Sequence, residues 1–287
     1  ESNSNIEIGF VTNDDRVKIS DKTINQLSEL LNNNAVLKIT DGVYNERNQY
    51  FDFKLNGNKI KLELDDPRIS GLTIFKDYFL SNKTLFGESV RKVSTCGDFG
   101  FNFFIFDLNA DKESKYYLDK TEKELIKDHR IYLYRDKIRV APYGDSNDDW
   151  IGTDRKRAVG KAGGYLSNDQ VVGFVDISKK NNPKLKDKTN REGLIEAGSA
   201  TKDFITLLQT FLLFIRQHPY KQYQQRIEQE KEQKNSKLRV VDSKFEALAK
   251  TISGNSIAMA AYQDVIKSYK IEKDFIQYVL RENWILY

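Results

Sequence analysis

The spacing of apolar and polar residues changes rhythm several times along the 287-residue chain. Ile24, Leu27, Leu30 and Leu31 recur at helical intervals within Asp21 to Leu31, which predicts an amphipathic helix. Ile6 to Val11 and Val36 to Ile39 read as short strands. Tyr50 to Leu55 and Lys59 to Leu64 alternate with period two around Asn56, Gly57 and Asn58, the pattern of a β-hairpin. Phe99 to Leu108 is apolar on both faces, which places it in the middle of a sheet. Arg130 to Tyr134 and Ile138 to Ala141 flank Arg135, Asp136 and Lys137 as a second hairpin, and Gln170 to Ile177 is a further strand. Residues 199 to 217 are apolar nearly all round, which predicts a buried helix packed on the sheet and stopped by His218 and Pro219.

After Tyr220 the pattern changes again. Lys221 to Lys234 is rich in helix formers and poor in apolar residues, so a solvated helix or linker is expected there. From residue 240 onward Phe245, Leu248, Ala249 and Ile252 form one helical stripe. The expected fold is α+β: a mixed sheet with helices packed on one face, followed by an α-helical C-terminal module. The expected division is an α+β segment over 1–95, a second α+β domain over 96–218, a polar helical linker over 219–239 and a helical module over 240–287.

Composition narrows the chemistry. Hydrophobic residues make up 39% of the chain, enough for a real core although 31% of residues are charged. Cys96 is the only cysteine, which rules out an intramolecular disulfide and a cysteine-based metal site. No base stands near it in sequence, so it reads as a structural thiol rather than a nucleophile. With His129 and His218 as the only histidines, no metal site is expected. The net charge of +4 is too mild to argue for nucleic acid by itself. No apolar run is long enough to span a membrane and no signal peptide is visible, so the cytoplasm is the expected compartment. The paired carboxylates Asp14-Asp15 and Asp65-Asp66 sit in loop-like contexts and read as solvated charge. Gly160, Gly163 and Gly164 surround Lys161, but their spacing fits neither common phosphate-loop pattern.

Asn182 to Ile195 stands out. Lys184, Lys186, Asp187, Lys188, Arg191 and Glu192 crowd a loop that follows an apolar strand and precedes the most hydrophobic helix. A charged loop held at both ends by core elements is a natural place for chemistry, and its natural target is an anion. The plainer alternative is that Arg191 and Glu192 form an ion pair at a helix start, worth little at a surface.

Residues 130 to 215 resemble the middle, or transducer, domain of the GHKL ATPases, the superfamily of gyrase, MutL, MORC and the heat-shock-90 chaperones. The pieces that carry the resemblance are the strand Ile131 to Arg135, the strand Gly173 to Ile177, the loop Thr189 to Leu194 and the buried helix after it, in that order. A closer resemblance is to prokaryotic heat-shock-90-like proteins of this type. Their hairpin, Asp-Trp-Leu-Gly and Thr-Asn-Arg-Glu-Gly-Leu-Ile pieces match Leu133 to Gly144, Asp149 to Gly152 and Thr189 to Ile195. Lys137 stands where that hairpin has glycine. The resemblance implies that Arg191, or its rival Lys188, reaches the γ-phosphate of ATP, with Thr189, Asn190 and Glu192 supporting the loop. It implies an ATP-hydrolysing full-length protein that uses ATP and Mg²⁺. The Glu-Asn helix and Asp-x-Gly-x-Gly loop of the nucleotide site are not found here, so that site is expected in an upstream ATP-binding domain. The start at Glu1 and the apolar end at Tyr287 fit a piece of a longer chain, inactive alone.

Two other readings stand beside this one. Arg155, Lys156, Arg157 and Lys161, with Lys179, Lys180, Lys184, Lys186 and Lys188, would serve a nucleic-acid-binding module if they formed one basic face toward DNA. Alternatively the C-terminal helices make a homodimer and the chain is a scaffold without activity of its own.

Overall fold

The computed structural model describes residues 21–83, 89–159, 164–188, 193–195 and 198–282. The expected strand over 6–11 and the Asp14-Asp15 pair lie outside them. The chain divides into two compact units, one of residues 1–108 and 118–220, the other of residues 109–117 and 221–287.

The first unit is built on a seven-stranded mixed sheet. Its strands are β1 (Leu37–Asn45), β2 (Tyr50–Leu55), β3 (Asn58–Glu63), β6 (Phe99–Ile105), β7 (Ile131–Arg135), β8 (Ile138–Arg139) and β9 (Val171–Ile177). A separate two-stranded ribbon pairs β4 (Asn82–Lys83) with β5 (Ser89–Val90). The large sheet runs β3-β2-β1-β6-β9-β7-β8, and only β7 and β9 are parallel. Phe99 to Ile105 takes the central place that its two apolar faces require, antiparallel to β1 on one side and β9 on the other. The turn between β7 and β8 places both Asp136 and Lys137 at positive φ, 51° and 68°. This is the twist a tight two-residue hairpin needs, and Lys137 adopts it without glycine.

Helices α1 (Asp21–Asn33), α2 (Pro67–Ser70), α3 (Thr73–Phe79), α4 (Lys120–Asp128), α5 (Thr153–Val159) and α6 (Ser199–Ile215) belong to the same unit. Alternate residues of β6 point to opposite faces. Phe99 and Phe101 meet α6, through Phe204 at 5.0 Å and Phe211 at 4.7 Å between ring centroids. Phe211 also reaches Phe51 and Phe53 of β2, at 5.0 and 5.1 Å. On the other face Phe104, Phe106 and Val172 pack with Leu27, Leu30 and Leu31 of α1 and Ile126 of α4. The α+β class with a mixed sheet is as expected, but helices lie on both faces rather than one.

The expected boundary at residue 95 is not a boundary of the sheet. β1 pairs directly with β6, so residues before and after it share one core. Pro219 does not stop the helical run either. The chain passes through a π-helical turn, Arg216–Tyr220, and continues as α7 (Lys221–Ile252). A widened turn accommodates the missing N–H and the ring of a proline.

In the second unit α7 is one 32-residue helix, so the expected linker and the start of the expected helical module are a single element. It pairs with α8 (Ser256–Glu282): Phe245 lies 4.9 Å from the Tyr269 ring, and the Tyr269 hydroxyl donates to Asp242 at 2.9 Å. Residues 109–117 join this unit through ion pairs of Asp111 with Lys231 (2.8 Å) and Glu113 with Lys234 (2.6 Å). Among the described residues no helix is long and apolar enough to cross a membrane.

Phe211 touches two strands at once, so its removal leaves a cavity the sheet cannot close. Phe211→Ala is expected to cost about 3–5 kcal/mol in urea unfolding. Val240→Ala, at an exposed position of α7, is expected to stay within about 0.5 kcal/mol.

Candidate functional site

The charged loop begins at the end of β9, and the first residue to hold it is Asn182. Its side chain is buried and donates to the carbonyls of Cys96 and Asp98 at 2.8 and 2.9 Å, while accepting from the Ser178 amide at 2.9 Å. This fastens the start of the loop to the chain entering β6. Leu185 and Leu194 are buried, whereas Lys184, Lys186 and Lys188 are exposed. The backbone between them forms a small ladder. The Ile195 amide donates to the Lys186 carbonyl at 2.8 Å, and the Lys188 amide to the Gly193 carbonyl at 2.9 Å. Asp187 and Leu194 face each other as bridge partners within it.

Both bridge partners are gripped from the β7–β8 region. Arg135, almost fully buried at the end of β7, donates to the Asp187 carboxylate at 2.5 Å and to the Leu185 carbonyl at 2.7 Å. Tyr143, just beyond β8, accepts the Leu194 amide on its hydroxyl at 2.8 Å. Gly193 lies against the same ring: a Cβ there would come within 2.9 Å of the Tyr143 hydroxyl, and its φ of +93° suits glycine. Tyr143 stacks on Trp150 with ring centroids 4.9 Å apart. Trp150 donates its indole N–H to the Ile131 carbonyl at 2.7 Å and stacks on Phe204 of α6 at 6.0 Å. Asp149 accepts the amides of Thr153, Asp154 and Arg155 at 2.8, 3.0 and 3.1 Å and so starts α5.

Three separated stretches of sequence therefore meet at one place: 133–144, 149–152 and the described ends of 182–195. The structure brings Lys188 to the ladder, exposed beside Gly193. Arg191, Thr189, Asn190 and Glu192 lie outside the described residues, as does Lys161. Sequence reasoning missed Arg135, Tyr143 and Trp150 as holders of the loop. Their signal was available only as motif membership, because nothing in spacing shows that residue 143 will face residue 194.

Of the nine cations that would make one basic face, Lys161 lies outside the described residues, and the other eight lie on α5 and in the segment after β9. Lys156 borders a small recess with Leu212 and Leu213, and Arg157 lies within electrostatic reach of Arg216 at the far end of α6. Burial lowers the Arg216 pKa, and Arg157 acts in the same direction. The ladder instead adjoins the start of α6, where Thr201 donates to the Ile195 carbonyl at 2.8 Å. Thr201 and Leu212 are roughly 16 Å apart along a helix. Lys156 and Arg157 of α5 thus stand apart from Lys186 and Lys188, whereas the Arg155 guanidinium lies beside Gly152, in the 149–152 stretch.

Other polar groups nearby are structural. Asp203 of α6 is fully buried and accepts from Lys92 (2.5 Å), Tyr78 (2.8 Å) and Thr95 (2.9 Å to the amide). Cys96 is buried, and burial pushes its thiol well above the usual range, so it stays protonated as a structural residue. A polar cleft along α1, lined by Asn25, Gln26, Glu29, Asn33, Asn34 and Glu122, carries no cation or nucleophile. Among the described residues no group of three or more His, Cys, Asp or Glu side chains is placed to hold a metal ion.

His129, next to β7, contacts the Tyr132 hydroxyl through Nδ1 at 2.8 Å. Burial holds its imidazole below the ordinary value, with Arg139 acting in the same direction and Asp128 against it. A base whose folded pKa is depressed stabilises the fold fully above its unfolded value, about 6.5, and loses that contribution as pH falls through the folded pKa. Denaturation midpoints should therefore be flat from pH 8 to 7 and decline toward pH 5.5. In His129→Gln the decline should be shallower; an identical slope would show that His129 is not its source. No family model, no curated protein and no solved structure matches the chain.

Proposed function

We propose that this chain is the transducer segment of a GHKL-type ATPase, and that the 182–195 loop senses the γ-phosphate through Lys188 and Arg191. The observation that carries this reading is the double grip on the ladder. Arg135 holds Asp187 and Tyr143 holds the facing Leu194, so the loop is fixed at its base while its lysines stay in water. A loop with a buried base and cationic exposed residues suits contact with an anion bound by another domain. Guanidinium and ammonium groups donate charge-assisted hydrogen bonds to phosphoryl oxygens, and arginine can make two in parallel. The described carboxylate of the loop, Asp187, is committed to Arg135, so the role proposed for the loop is electrostatic rather than covalent.

In this reading ATP and Mg²⁺ are held by an upstream ATP-binding domain of the full-length, cytoplasmic protein, and hydrolysis supplies the change in phosphate charge that the loop detects. The loop runs directly into α6, and α6 leads through Arg216–Tyr220 into α7, which gives the signal a continuous backbone route to the helical unit. That unit is then the effector or homodimer surface.

One feature favours a second reading, contact with a nucleic-acid backbone. Lys137, Lys179, Lys180, Lys184, Lys186 and Lys188 are all exposed around the ends of β7 and β9, where the Lys179 amide donates to Asp136. Lysines so placed bind phosphates without reading sequence.

ATP turnover of the full-length protein tests the first reading. Arg191→Ala is expected to lower kcat by about 10³-fold, within the range seen for arginines that reach a transferring phosphate, and Lys188→Ala by roughly tenfold. Unchanged turnover in both variants removes the sensor. Fluorescence anisotropy with a DNA duplex tests the second reading. Binding should weaken steeply with salt and be reduced by Lys179→Glu with Lys180→Glu; no binding at low salt removes it.

A further inference from the structure

Tyr143 occupies a position that the sensing role of the loop does not by itself require. Its hydroxyl accepts the Leu194 amide at 2.8 Å, its ring closes over Gly193, and its opposite neighbour is Trp150, with ring centroids 4.9 Å apart. Trp150 in turn lies flat against Phe204, with planes 25° apart and centroids 6.0 Å apart. Phe204 is fully buried in the first half of α6 and wedges edge-on against Phe99 of the central strand at 5.0 Å. A column of four rings thus links the loop backbone to the helix and then to the sheet. Tyr143 and Trp150 come from the segment between β8 and α5, Phe204 from α6 and Phe99 from β6.

Such a column can carry a displacement from the half-buried Tyr143 and Trp150 to the buried Phe204 and Phe99, because close-packed aromatic rings do not compress. The loop has one further direct bond to the helix, from Thr201 to Ile195. Tyr143 differs from it in being held on both sides. Glycine at 193 lets the ring sit close to the loop backbone, and the Trp150 indole is locked by its bond to Ile131 at 2.7 Å. A shift of Leu194 therefore bears on a ring that already rests on Trp150.

We propose that Tyr143 is the positioning residue that fixes the phosphate-sensing loop and passes its displacement to α6 through Trp150 and Phe204. This rests on the sensing role of the loop cations. The hydroxyl fixes the Leu194 end of the loop, and the ring stack carries the response. Tyr143 touches no substrate in this scheme and acts only through the loop.

Full-length protein carrying Tyr143→Phe tests it, because phenylalanine keeps the stack on Trp150 and removes the hydroxyl that accepts the Leu194 amide. Loss of one such bond is expected to lower kcat roughly tenfold with KM little changed, and to speed amide exchange at Leu194 by a similar factor. The decisive comparison adds Tyr143→Phe to the variant lacking both loop cations, Lys188→Ala with Arg191→Ala. A residue that acts through those cations produces no further loss there, whereas an independent structural role multiplies the losses. Multiplied losses overturn the proposal, and so does unchanged kcat in Tyr143→Phe, or a fall in kcat without faster exchange at Leu194. The sensing role itself is judged by the cation variant alone: if that variant turns over normally, the loop is no sensor. If it is impaired while Tyr143→Phe is not, the sensor stands and only the role of Tyr143 falls.

Discussion

Contact between α6 and the central strand is the constraint on which the rest of this structure depends. Phe204 and Phe211 place two turns of one helix against Phe99 and Phe101, and Phe211 extends the contact to Phe51 and Phe53. Each ring buries a large apolar area, and tilted and edge-on pairings add about 0.5–1.5 kcal/mol per pair beyond that burial. The loop over 182–195 must fit between β9 and a helix whose position is already decided. Its course is therefore fixed at both ends before any polar contact forms.

The polar residues of α6 show how a helix buried nearly all round is oriented. Apolar packing alone tolerates rotation and sliding, because many hydrophobic arrangements have similar energies. Thr201, Asp203 and Gln209 are buried, and each is satisfied by a specific partner: the Ile195 carbonyl, the Lys92–Tyr78–Thr95 cluster and the Ile151 carbonyl. A buried polar group without its partner costs about 1–3 kcal/mol, so these bonds penalise other registers more than they reward this one. Two of the three lead to the segments that form the candidate site. The same bonds that set the helix register also set where the loop and the 149–152 segment stand.

Much of the sheet was legible in the sequence because its strands announce themselves by alternation or by continuous apolar runs. Tyr50 to Leu55, Lys59 to Leu64 and Phe99 to Leu108 came within a residue or two of their final limits, apart from the last few residues of the third. What spacing does not contain is pairing between distant strands. Nothing in Leu37 to Asn45 says that it will join β6, so the boundary at residue 95 looked natural until the pairing was seen. The helix stop at Pro219 failed for a local reason, since a π-turn absorbs the proline. The expected site was legible as charge pinned between apolar segments. Its supports were not, because Arg135 and Tyr143 find Asp187 and Leu194 only after β7 and β9 have come together in parallel.

The arginines and lysines around the loop divide by cost of burial. Arg135 is enclosed and committed to Asp187 and Leu185, and Arg130 to Asp169 and the Ser146 carbonyl. Arg139 lies over the Tyr132 ring and holds Asp145. Guanidinium suits such places, because it is less strongly hydrated than ammonium and can spread several bonds over a fixed fork. An arginine used in this way is committed to its partners, and removing the partner leaves its charge without compensation. The lysines at 184, 186 and 188 are exposed at the surface of the loop. The enclosed arginines thus hold the frame of the loop, and its lysines keep their charge at the surface rather than in the core.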